Sequence, residues 1–169
     1  MDSLSAVAAD LCLIAERHAG KLLDGASSGL PDKLVRPGTG VPGGAVSLAY
    51  APMASVGFLE EARRAATTTL FAGAEGGAFG QDDVTSPVIP AWEKHETAGL
   101  ALERGLAVLA AVASQAFWAT DRTPPPALAA RLGMIRAAFP PVDDVARRVL
   151  GHDAARLAAL FHGEIYGEA

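Results

Sequence analysis

At 169 residues the chain is long enough for one domain with its own core, or for a piece of a larger one. Half of its residues are hydrophobic, 20% are charged and mean hydropathy is +0.25, so its apolar helix faces need a cover, either copies of the chain or another chain. The net charge is −5 and basic residues pair only at Arg63-Arg64 and Arg147-Arg148; no basic stripe with interleaved aromatics forms, which argues against nucleic-acid binding.

Residues 2 to about 24 carry Leu4, Val7, Leu11, Ile14 and Leu22 at close to helical spacing and predict a first helix, ended by Gly25. Cys12, the single cysteine, reads as a small core residue; one cysteine excludes a disulfide framework and leaves no zinc-type spacing. Asp2 and Asp10, with no basic start ahead of the apolar residues, make a poor signal peptide and predict a cytoplasmic protein. From Ala26 to Gly44 the chain is rich in Gly, Pro and Ser, too long for a simple turn, and is expected to wrap over something or join an interface.

Val46 to about Phe71 predicts a second helix, with Glu60, Glu61, Arg63 and Arg64 on its solvated face and Pro52 at a kink or in its first turn. Thr67-Thr68-Thr69 reads most simply as a helix face. Ala72 to Gly80 holds four glycines and predicts a tightly turned or mobile loop. That loop runs into Gly80-Gln81-Asp82-Asp83-Val84-Thr85-Ser86 and then into the longest helix, about Ala91 to Ala119, with a bundle seam at Leu102, Leu106, Leu109, Val112 and Phe117. Glu103, Arg104, Ser114 and Gln115 inside its greasiest part argue for a buried bundle helix and against a membrane span. Pro124-Pro125-Pro126 is a rigid break, followed by short helices at about Ala127–Ala138, Val142–Leu150 and Asp153–Tyr166, with Asp143, Asp144 and Asp153 at helix starts. No strand-like alternation is convincing. The fold class is all-α: a bundle with long central helices over residues 1–123 and a short helical tail over 124–169.

Two readings of Asp82 and Asp83 stand side by side. Carboxylates suit a helix start, where unpaired amides and the helix dipole welcome negative charge; they are equally suited to act on a bound amine. Tyr50 and Trp92 either line an apolar pocket or simply pack. His18, His95, His152 and His162 are far apart in sequence, so no metal site is expected. The glycine-rich loops lack a following Gly-Lys-Ser/Thr and cradle no phosphate.

Taken together and in order, several pieces carry a resemblance. Ala15-Glu16-Arg17 followed by Leu22-Leu23-Asp24, then Ser28-Gly29-Leu30-Pro31-Asp32-Lys33-Leu34-Val35, then Gly80-Gln81-Asp82-Asp83-Val84-Thr85-Ser86 and the long Ala/Leu helix, resemble the C-terminal region of the histidine and phenylalanine ammonia-lyase family. The match runs from about residue 2 to residue 163. It implies that Gln81 and Asp82 are the polar pair near the substrate amino group, Asp82 standing where histidine-specific members carry glutamate and phenylalanine-type members glutamine. A carboxylate there would hold an ammonium or take part in proton transfer. Asp83, Tyr50 and Trp92 are the accompanying substrate-contact candidates.

Departures from the family are as telling. The family's methylideneimidazolone forms from an internal Ala-Ser-Gly, whereas Ala26-Ser27 here runs into Ser28 and Ala54-Ser55 into Val56. The family's tyrosine loop and its Arg- and Asn-bearing segments have no counterpart, Gly80 replaces an asparagine, and Gly43-Gly44-Ala45 replaces a Gly-Phe-Met helix start. With a methionine at the head of a family helix, the expectation is the C-terminal subunit of a split, heteromeric ammonia-lyase-like enzyme. It would act on an aromatic amino acid or derivative by elimination or a 2,3-amino shift. A separately encoded N-terminal subunit would supply the cofactor, if one exists. The alternatives are a cofactor-free relative turned to cyclisation, dehydration or isomerisation, and a non-catalytic helical scaffold.

Overall fold

Alanine and leucine are equally common in the first helix, and alanine decides how it packs. The computed structural model describes residues 1–37, 48–69, 87–142 and 149–166, with side chains as far as Gly163. Helix α1, Asp2–Leu23, has Asp2 in its first turn and Lys21 in its last, both favourable to the helix dipole. Its buried face is Ser5, Ala8, Ala9, Cys12, Ala15, Ala19 and Leu23. The larger residues Leu4, Val7, Leu11 and Ile14 point outward, each about half exposed. Within the chain the helix therefore buries its small-residue face, because small side chains let neighbouring backbones approach closely.

Gly25 does not end α1. Asp24 does, leaving the helix in extended geometry and capping a short helix α2, Gly25–Ser28. Its carboxylate accepts from the Ala26 N–H at 3.0 Å and the Ser27 hydroxyl at 2.5 Å, which hold the Asp24 carboxyl below its ordinary value, the Ser27 bond foremost. Gly25 is needed for close approach instead: a Cβ there would lie 3.0 Å from the Leu30 carbonyl oxygen and 3.1 Å from Asp32 Cα. After a 3-10 turn at Asp32–Leu34, Leu34 is fully buried in left-handed backbone, φ 55°.

A second 3-10 turn, Leu48–Tyr50, leads into α3, Ala51–Ala65. Pro52 lies in the first turn, where a missing N–H breaks no helical bond. The helix stops well before Phe71, and Thr67-Thr68-Thr69 is not a helix face. The Asp2 carboxylate takes the Thr69 N–H at 2.7 Å and its hydroxyl at 2.5 Å, while Lys94 Nζ donates to the Thr67 carbonyl. The start of α1 is thereby tied to the strand of chain leaving α3. Val46, Phe71 and the glycine-rich loop lie outside the described residues.

Helix α4, Val88–Ala119, has 32 residues and is about 48 Å long. It begins ahead of Ala91 because Pro90 falls in its first turn. By length and composition it could cross a membrane, yet α1, α3 and α6 all pack on it. Ala8 meets Ala65 and Ala98, and Ala9 and Cys12 meet Leu59, Ala62 and Ala101; α4 thus runs parallel to α1 and antiparallel to α3. Gly105 marks the tightest approach, where a Cβ would come 3.1 Å from Cys12 Sγ. Of the expected seam, Val112 is fully buried, whereas Leu102, Leu109 and Phe117 are half-buried and Leu106 is exposed.

Helix α5, Pro126–Ala138, starts on the last proline of the triple break. Helix α6, Leu150–Tyr166, begins one turn earlier than expected and carries Asp153 in its first turn, ion-paired with Arg156. Leu157 of α6 joins Leu34, Leu48, Val108 and Val112 in the main core, so the tail shares its interior with the bundle. Val142 is not helical, and 143–148 lie outside the described residues. Gln115 binds these pieces together: its amide donates to the Leu34 and Val142 carbonyls at 3.3 and 3.0 Å, and its oxygen accepts the Val142 N–H at 2.8 Å. Six α-helices and no strand among the described residues make the fold all-α.

Candidate functional site

Helices α3, α4 and α6 splay enough to leave an open groove of about 600 Å³. Its floor is apolar and mostly small: Ala54 and Phe58 of α3, Leu100 and Val108 of α4, and Ala154 and Ala158 of α6. The polar groups sit at one end. His162 Nδ1 lies 3.0 Å from Glu103 Oε2, and the Glu103 side chain is only 14% exposed. Beside it, Arg104 reaches Glu61 at 3.6 Å and lies 6.0 Å over the Phe58 ring. With its proton on Nδ1, a histidine so held presents Nε2 as an acceptor, the arrangement by which a carboxylate fixes an imidazole tautomer. Nothing in sequence joins Glu103 to His162; the pairing exists because α6 runs antiparallel along α4.

A second groove of about 540 Å³ lies between α1 and α4, where His18, Lys21 and Arg122 surround Leu22, Leu30 and Leu109. Nearby, Arg36 Nη2 donates to both Asp121 carboxylate oxygens, at 2.5 and 2.6 Å, and the guanidinium stacks 5.0 Å over Trp118. This pair joins the loop after α2 to the end of α4. No group of three or more metal-ligating side chains occurs among the described residues.

Gln81, Asp82 and Asp83 lie outside the described residues, so neither the cap nor the catalytic reading of them meets a geometry here. Tyr50 is exposed beside a shallow pocket of about 200 Å³ that includes Val108 and Ala111. Trp92 is exposed on the first turns of α4, roughly 24 Å along that helix from Val108 at 1.5 Å per residue. One copy of the chain does not bring the two aromatics together. His95 is half-buried and Glu96 exposed on α4. Cys12 is wholly buried, with Sγ 3.9 Å from the Ala101 carbonyl; burial, then the nearby Glu16, pushes its thiol up and away from nucleophile chemistry.

With this geometry in hand, the fold has a counterpart among solved structures. Histidine ammonia-lyase from Trypanosoma cruzi superposes with a TM-score of 0.77 at 20% sequence identity, over 97% of this chain and 32% of that one. The chain thus spans about a third of that protein's length. No protein-family model matches the sequence, and no curated protein matches it at a significant level. The shared feature is the all-α, ammonia-lyase-like fold.

Proposed function

We propose that this chain is the C-terminal-type subunit of a split, heteromeric ammonia-lyase-like enzyme acting on an aromatic amino acid or a derivative, by elimination or a 2,3-amino shift. The observation that carries this reading is the superposition of 97% of the chain on about a third of a histidine ammonia-lyase. Gln81 and Asp82 are its contribution to a shared site, Asp82 holding the substrate ammonium or passing a proton. Asp83, Tyr50 and Trp92 are secondary substrate contacts. Because Tyr50 and Trp92 are far apart on one copy, they serve different sites of the assembly.

No Ala-Ser-Gly occurs in these 169 residues. The chain therefore does not fit the methylideneimidazolone as its own product, and any such group belongs to the partner chain. The same fact supports a second reading, a cofactor-free lyase-like protein running a cyclisation, dehydration or isomerisation, or a scaffold without chemistry. Co-expression with a separately encoded lyase-like N-terminal chain, followed by size exclusion and an ammonia-release assay on aromatic amino acids, separates these. A stable complex with turnover that collapses in Asp82→Ala is expected. Failure of the native chains to associate would sink the split-enzyme reading; full turnover by the Asp82→Ala complex would remove only that residue's role.

A further inference from the structure

Helix α1 carries its large apolar residues on the wrong side for its own bundle. Leu4, Val7, Leu11 and Ile14 alternate spacings of three and four, the seam of a two-stranded coiled coil, and each is 46–54% exposed. The opposite face is already full, with Ala8, Cys12, Ala15 and Ala19 packed against α3 and α4. A seam this long and unshared is a docking face.

The charges beside it choose the occupant. Along the exposed edge, Asp10 lies in the first half of α1, and Arg17, already ion-paired with Glu16 at 3.3 Å, His18 and Lys21 lie in the second. A second copy fits badly in each register. Parallel pairing in register sets His18 against His18 and Lys21 against Lys21, since both continue the three-and-four spacing of the seam. The antiparallel pairing that matches Leu4 with Ile14 and Val7 with Leu11 brings Asp10 onto Asp10. The antiparallel pairing that sets Asp10 beside Arg17 places His18 and Lys21 of the second copy against Val7 and Leu4. The solved neighbour, meanwhile, has about two thirds of its chain beyond the part matched here, length enough to include a helix for such a seam.

Resting on the split-enzyme reading, we propose that this face of α1 receives a helix of the N-terminal lyase-like chain. That helix has its own apolar heptad seam and carries carboxylates opposite Arg17 and Lys21. The seam sets the contact and the carboxylates set its direction and register.

The test uses the two chains purified as a complex, with affinity read by titration of labelled native and variant chains. Leu11→Glu with Ile14→Glu is expected to weaken the complex more than about thirtyfold, a loss typical of central interface residues. Arg17→Glu with Lys21→Glu is expected to weaken it about tenfold at low salt and less at high salt. Leu128→Glu, at an exposed site on α5, is the control and leaves affinity unchanged. Helix content and melting of each free variant, equal to those of the native chain, show that folding is intact. A native complex indifferent to the α1 substitutions overturns this docking face and leaves the split enzyme standing. Absence of any native complex overturns both. A chain that dimerises alone, and is dissociated by Leu11→Glu with Ile14→Glu, overturns the proposal in favour of a second copy.

Discussion

Gln115 is the residue whose loss should be felt furthest from where it sits. It is 2% exposed and satisfies three main-chain groups: the carbonyls of Leu34 and Val142 and the N–H of Val142. Gln115→Met keeps the volume and flexibility of the side chain and removes only its hydrogen bonds. A buried polar group left without a partner costs about 1–3 kcal/mol. Three such groups set a range of roughly 3–9 kcal/mol, with the 3.3 Å bond to Leu34 and entry of water pulling toward the lower end. We therefore expect a loss of about 3 kcal/mol. With a urea slope of about 2 kcal/mol/M, the unfolding midpoint falls by roughly 1.5 M. Urea titration of the purified native and variant chains, read by far-ultraviolet circular dichroism, measures it. A midpoint shift below about 0.5 M at unchanged slope would falsify the view that Gln115 is the clasp between α4, the turn at Leu34 and the turn at Val142.

Other substitutions probe the same interior from different sides. Leu157→Ala empties a fully buried site in the main core and is expected to lower stability by about 2–5 kcal/mol in the same titration. Gly105→Ala gains about 1 kcal/mol of helix propensity and meets Cys12 Sγ at 3.1 Å; the two effects nearly cancel, and the change becomes stabilising in a Cys12→Ala background, which a double-mutant cycle reads directly. Cys12 itself is expected to ignore a thiol reagent in the native chain and to react fully once unfolded; rapid native labelling would contradict its burial. For Asp2, the hydroxyl and then the N–H of Thr69 hold the carboxyl below its ordinary value of 3.8. Its contribution is therefore complete above that pH and fades as pH falls through the lower folded value. Thermal melts taken from pH 6 down to about 2 should show a smaller acid loss in Asp2→Asn than in the native chain.

How much of this was legible in the sequence divides by physical scale. Helices were legible, since alanine- and leucine-rich runs bounded by Gly and Pro leave few other conformations, and the all-α class follows. Which face each helix buries was not. Leu4, Val7, Leu11 and Ile14 announce a face that wants cover, but their periodicity is silent on whether that cover lies within the chain. The tight face is written in Ala8, Cys12, Ala15, Ala19 and Gly105, residues that hydropathy alone barely distinguishes. The end of α3 was misplaced because Thr67 and Thr69 are held by Asp2 and Lys94, partners that only the fold brings near. The same holds for Glu103 and His162. As for Asp82, the sequence supplies its chemistry and its likeness to a family motif, while its surroundings lie outside the described residues.

The alanine interior also bears on how this protein exists at all. An alanine methyl removes little water-exposed area, so a core of Ala8, Ala9, Ala62, Ala98, Ala101 and Ala107 contributes modestly per residue. Several large apolar side chains, Leu11, Ile14, Met53, Ile89 and Trp92 among them, remain outside. Under the split-enzyme proposal, much of the free energy still available to this fold is released at association. On that proposal its melting temperature rises with the concentration of the covering chain, and in a cell its abundance follows that chain's, with unpaired copies left to proteolysis.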